Sequence, residues 1–181
     1  MPGDRGFSEH ERELQRLLDE LGGILLRRER LLDRERRTRN RMRMEQITEE
    51  ARHPFTQLDR ETLVRDLERE LGYQRFQEQG LQERLELARL RSRAEDGILD
   101  EITRHLPPGH ETPLLEEIHA RIRRREELLA GMPNLPPQEA RRRLDELDGC
   151  QQRLESLLYR LAERHLLALH RRTRKPPEDG Y

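Results

Sequence analysis

The chain has 181 residues, 40% of them charged and 3% aromatic, with a formal net charge of −1 and no Trp. So few large apolar side chains exclude a big globular core, and a single valine, Val64, argues against a sheet, which draws on β-branched and aromatic residues. Leu, Arg, Glu and Gln dominate, all good helix formers, so the expected class is all-α: long amphipathic helices forming an elongated coiled coil, with a C-terminal helical hairpin.

Residues 1–7 read as a flexible leader. Ser8 and Glu11 have the spacing of a capping box, which starts a helix over 8–52. Its apolar stripe comprises Leu14, Leu17, Leu18, Leu21, Ile24, Leu25, Leu31 and Leu32, with Gly22-Gly23 as an expected weak point. Past Leu32 the stripe thins to Met42, Met44 and Ile47, and the helix becomes arginine-rich. Pro54 disfavours a helical residue before it, so the pattern breaks there; Thr56 or Asp59 then caps a long helix over 56–106.

Leu106-Pro107-Pro108-Gly109 ends that helix, and Thr112 followed by Pro113 reads as an N-cap and first helical residue. A hairpin of two helices is expected over 112–170. The first carries Leu115, Ile118, Ile122 and Leu129 on its stripe; Gly131-Met132-Pro133-Asn134-Leu135-Pro136-Pro137 closes it. The second runs from about Gln138 to His170, with Leu144, Leu147, Leu154, Leu158, Leu161 and Ala168 on one seam. Residues 171–181 contain Pro176-Pro177 and read as a disordered tail.

The most informative feature is a heptad phase held from Val64 to Leu106. Its a and d positions are Val64, Leu67, Leu71, Gln74, Glu78, Leu81, Leu85, Ala88, Ser92, Glu95, Leu99, Ile102 and Leu106, nine of the thirteen apolar. A sustained seven-residue repeat asks for a helix running alongside. The nine apolar positions, Val64, Leu67, Leu71, Leu81, Leu85, Ala88, Leu99, Ile102 and Leu106, are therefore the candidate protein-interaction seam. The polar ones either fix register or mark a place where the coil splays open near Gly80 and Gly97.

Charge is uneven. Arg27 to Arg43 holds nine arginines against Glu29, Asp33 and Glu35. Within it, Arg34, Arg36, Arg37, Arg39, Arg41 and Arg43 are candidates for contact with phosphates or an acidic surface. No aromatic residue interleaves with them to stack on bases, so a solvated face, or a pairing surface for acidic residues of the middle region, is the preferred reading.

Chemistry is otherwise missing from the pattern. His105, His110 and His119 surround one linker, but their spacing matches no zinc signature and the chain has one cysteine, Cys150. No phosphate-binding glycine loop, nucleophile elbow or HExxH motif occurs. A catalytic role and a cofactor are not expected. The final Asp179-Gly180-Tyr181 is too short to single out a peptide-binding groove.

A lone cysteine suits a reducing compartment, Pro2 rules out N-myristoylation, and no apolar run reaches bilayer length. The expectation is a cytoplasmic protein that avoids membranes, with a nuclear location as the alternative. In composition the chain resembles the coiled-coil subunits and adaptors of cytoskeletal, centrosomal or ciliary assemblies, a resemblance that transfers no residue. It implies a non-catalytic scaffold that forms a homo-oligomer or joins a coiled-coil partner. The alternative is a nucleic-acid-associated protein using the Arg34–Arg43 helix.

Overall fold

The computed structural model describes residues 8–52 and 60–174, and these form four helices with no strand among them. They are α1 (Glu9–Arg52), α2 (Arg60–His105), α3 (Thr112–Ala130) and α4 (Pro137–Arg174). The expected leader 1–7, the Thr56 or Asp59 cap and the end of the tail from residue 175 lie outside the described residues. The tail's first residues do not leave the helix: α4 continues past His170 to Arg174.

The start of α1 follows the capping logic of its sequence. The Ser8 N–H donates to Glu11 Oε2 at 2.8 Å, and the Glu11 N–H donates to Ser8 Oγ at 3.2 Å. The helix then runs unbroken through Gly22-Gly23, both of them exposed. At α3 the register differs by one residue from the expectation. Glu111 is the N-cap, in a left-handed conformation at φ 56°, so Thr112 is already helical. The Thr112 hydroxyl is drawn back to the Gly109 carbonyl at 3.2 Å, leaving it unavailable as a cap. Gly109 itself sits at φ 78°, which the turn after Pro107-Pro108 requires and only glycine adopts freely.

Successive helices run in opposite directions. Along α1 and α2, residue 10 meets 101, 34 meets 83 and 49 meets 69. Arg125 of α3 reaches Glu95 of α2, and Arg124 of α3 reaches Glu146 of α4. Arg28 of α1 reaches Asp148 of α4. The result is an up-down-up-down bundle built from the first part of α1, the second part of α2, α3 and most of α4.

Its main core joins Leu14, Leu21, Ile24 and Leu31 of α1 to Ala94, Ile98, Leu99 and Ile102 of α2, Leu114 and Ile118 of α3, and Leu154, Leu158 and Leu161 of α4. Each fully buried Leu or Ile contributes roughly 1.5–3 kcal/mol. A smaller cluster of Ala88, Leu128, Met132, Leu144, Leu147 and Cys150 closes the end where α3 turns into α4, with Leu81 and Leu85 packed on it. On α3 the buried stripe is Leu114, Ile118, Arg125 and Leu128; Ile118 is buried as expected, while Leu115, Ile122 and Leu129 are half-buried. On α4 the expected seam is buried from Leu144 to Leu161, while Ala168 is exposed.

Beyond the start of α4, α1 and α2 continue as a pair. Arg141 of α4 lines one small cleft with Glu35, Phe76 and Gly80, which marks the level where α4 begins. Residues 40–52 and 60–75 therefore extend past it as a two-helix arm of about 20 Å at 1.5 Å per residue.

Candidate interaction surface and buried polar layers

The candidate seam divides at this junction. Leu99 and Ile102 lie in the main core, Ala88 belongs to the smaller cluster, and Leu81, Leu85 and Leu106 are half-buried against one or the other. This half of the seam is covered within the chain. Val64, Leu67 and Leu71, on the arm, are 45%, 56% and 52% exposed, and neighbouring Leu63 is 50% exposed.

Helical geometry accounts for the split. In the arm, α2 turns Thr62, Arg69, Tyr73 and Phe76 toward α1, all of them half-buried. At 100° per residue, Val64, Leu67 and Leu71 fall on the opposite face. The faces of α1 and α2 that meet in the bundle are likewise not the heptad positions. Leu87, Leu90, Ala94 and Ile98 serve there, between the seam and solvent. Gly97 and Gly80 are points of close approach between the helices. A Cβ on Gly97 would lie 3.4 Å from Leu17 Cδ2, and one on Gly80 would meet Glu35 Oε1 at 2.5 Å. Neither glycine splays the pair.

The four polar seam positions also divide. Gln74, on the arm, and Glu78, near the junction, are exposed. Ser92 and Glu95 are buried in the bundle, where Gln151 Nε2 donates to the Ala88 carbonyl at 3.0 Å and to Ser92 Oγ at 3.2 Å. Arg125, 1% exposed, donates from Nη1 to Glu95 Oε2 at 2.8 Å and from Nη2 to Asp96 Oδ1 at 2.8 Å. Arg91 donates to Glu155 at 2.8 Å and to Asp148 at 2.6 Å, and Arg28 completes the set on Asp148.

Burial and a hydrogen bond with Glu155 push the Glu95 carboxyl up to about 8, against the pull of Arg125. Burial alone would raise Asp148, but its bonds from Arg28 and Arg91 outweigh that and hold it below the usual carboxylate range. These layers link α1, α2, α3 and α4 through charges that pair in one register. From sequence, Arg125 and Gln151 are invisible among so many polar residues.

The arginine run lies on the exposed side of α1. Arg34 pairs with Glu83 of α2, Arg36 and Arg37 with Asp33, and Arg41 approaches Glu45 at 3.9 Å. Arg39 and Arg43 are exposed. The Arg34 pair reaches α2, while the others join residues three or four apart on α1 itself, and these arginines are all well exposed.

A third grouping was not legible in the sequence. His10 of α1, Glu101 and His105 of α2, and His165 of α4 meet at the end of the bundle opposite the arm. His10 Nδ1 is 2.8 Å from Glu101 Oε1 and its Nε2 is 2.6 Å from His165 Nε2. The His10 ring stacks on His105 with centroids 3.7 Å apart. His110 and His119, which flank the same linker as His105, are exposed and take no part among the described contacts. Burial, with His10, His105 and Arg172 nearby, lowers the His165 pKa.

No helix among the described residues is long and apolar enough to cross a membrane. Comparison with protein-family models, curated protein sequences and solved structures returns no match.

Proposed function

We propose that the protein is a non-catalytic helical scaffold that assembles through the outer face of α2 in its arm, forming a short coiled coil with a second copy of the chain. The observation that carries this reading is the exposed Val64, Leu67 and Leu71 at heptad spacing, on the face turned away from α1. Charge supports a second copy in parallel: Glu70 and Arg75 flank the stripe at g and e positions, where one copy's Glu70 meets the other's Arg75. Both are exposed. Only two heptads are available, so the contact is smaller than the roughly 800 Å² per partner of a stable interface, and the association is weak and concentration-dependent. In this reading the bundle is the support and the arm is the contact, within the class of cytoskeletal, centrosomal or ciliary adaptors that the composition resembles. A nucleic-acid ligand for Arg34–Arg43 is less favoured, because Arg34, Arg36, Arg37 and Arg41 have carboxylate partners already.

Solution mass by light scattering across a concentration series tests the proposal. The wild-type chain is expected to rise from monomer toward dimer, and Leu67→Asp with Leu71→Asp to stay monomeric with unchanged helicity. A wild-type chain that remains monomeric at every concentration, or a double variant that still assembles, refutes it. Leu99 is unsuitable for this test: it is 6% exposed within the core, so a charge there would unfold the bundle.

A further inference from the structure

We infer that the chain binds a zinc ion at the end of the bundle opposite the arm, through His10, Glu101 and His105. The ligand atoms of these three residues lie within 4.8 Å of one another. Two of the separations are 2.8 Å, from His10 Nδ1 to Glu101 Oε1, and 3.7 Å, from His105 Nδ1 to the same oxygen. An ion about 2.0–2.2 Å from each of three tetrahedral ligands needs them roughly 3.4 Å apart, a spacing these atoms reach once the His105 ring turns off its stack on His10 and off the Glu101 carbonyl to aim a lone pair inward. Two imidazoles and one carboxylate are a donor set that Zn²⁺ takes in open, three-ligand sites.

His10 uses both ring nitrogens, facing the Glu101 carboxylate on one side and His165 Nε2 on the other. The place between His10 Nδ1 and Glu101 Oε1, 2.8 Å apart, holds a proton when neutral His10 donates its Nδ1–H and accepts from His165 at Nε2, and both contacts are then satisfied. A proton can fill that place, and so can a metal ion. His165 then acts as the outer partner that fixes the His10 tautomer, the usual arrangement behind a metal-bound imidazole. Glu101 Oε2 is held separately by Arg104 Nη1 at 3.2 Å, which leaves Oε1 for the ion.

Glu101 and His105 are four residues apart, hence on one face of α2. His105 is the last residue of that helix and the most exposed of the three, 40% against 9% for His10 and 8% for Glu101. Its Nδ1 rests on the Glu101 carbonyl at 3.0 Å. It is therefore the ligand that turns to meet an arriving ion, and it marks the entry path. The ion would tie the first turn of α1 to the last turn of α2. Water occupies the remaining coordination positions. The ligands are separated by 91 and 4 positions in the chain, which is why no linear zinc signature announces them.

Calorimetric titration of Zn²⁺ alone into the chelator-stripped full chain tests the inference, with Co²⁺ absorption as a reading of coordination geometry. One ion per chain is expected. A hundredfold excess over the dissociation constant should raise Tm by about 5–10 °C. Glu101→Gln and His105→Asn should each weaken binding at least tenfold, while His119→Asn, an exposed histidine outside the cluster, should leave it unchanged. His105→Asn alters a side chain at the helix end, so its fold survives and its binding remains interpretable. Absence of stoichiometric binding in the micromolar range overturns the inference, as does undiminished binding by both ligand variants.

Discussion

Arg125→Met removes the guanidinium from the most buried ion layer and substitutes an unbranched apolar chain. The cost should depend on pH, because Glu95, the partner left behind, is 0% exposed and its carboxyl is pushed up to about 8. Near pH 6 Glu95 is neutral. The variant then loses two buried hydrogen bonds, to Glu95 and to the Ser92 carbonyl, together with contacts to Asp96 and Glu126, which are 49% and 58% exposed and contribute little. The expected destabilisation is about 1–3 kcal/mol. Near pH 9.5 Glu95 is ionised in the wild type and stabilised by Arg125. The variant must either bury that charge alone or keep it protonated against the solvent, and the cost rises to about 3–5 kcal/mol.

The sign follows from linkage. A carboxyl whose folded pKa lies above its unfolded value contributes stability that is complete below about pH 4.5 and lost as pH rises through about 8. Without Arg125 the folded pKa climbs further, so the loss continues past the point where the wild type levels off. Urea unfolding followed by far-UV circular dichroism at the two pH values gives both differences, and groups common to both proteins cancel. The double variant Arg125→Met, Glu95→Gln should lose the pH dependence of the difference. Equal destabilisation by Arg125→Met at the two pH values, within about 0.5 kcal/mol, would refute a neutral Glu95 held against Arg125.

Gly22→Ala and Gly23→Ala should each stabilise by about 0.5–1 kcal/mol, since a Cβ at either place meets nothing within 4 Å in the middle of a helix; a lower urea midpoint would show a role for these glycines that the packing does not reveal. Leu154→Ala should cost about 2–5 kcal/mol and Leu67→Ala less than about 0.5 kcal/mol, because the first is 0% and the second 56% exposed. Comparable losses measured by denaturant titration would contradict the division into bundle and arm. Cys150 is buried and burial pushes its thiol up, so alkylation near pH 8 should be at least about tenfold slower in the folded chain than in urea. Equal rates would mean the cluster around Leu144 and Leu147 opens readily.

Helix class, the capping box at Ser8 and the stripes of α1 and α4 were legible because each depends on neighbours within two turns. On α3 Ile118 was legible, but the rest of the stripe was not, because Arg125, placed in the core between Ile118 and Leu128, looks like a solvent residue until Glu95 is set against it. The heptad of α2 announced a helix alongside without saying where it comes from. Over Leu81–Leu106 that neighbour is supplied by α3 and α4, an outcome that only their turning back at Gly109 and at the Pro133–Pro137 linker decides. His10 and His165 carried no signal at all, since 155 residues separate atoms that finish 2.6 Å apart.

The passage of α1 and α2 from bundle to arm without a break in their backbone ladders gives the arm an unusual standing. A two-helix hairpin with half-exposed leucines is marginal by itself, yet here the costly first turns are already nucleated where α3 and α4 brace the same helices. Fraying therefore proceeds from the tip inward, with opening free energies that grow toward Gly80, and a docking helix has only to arrest the fraying of turns that are part-formed. The ordering entropy that burdens a disordered binding segment is largely met in advance by folding of the bundle.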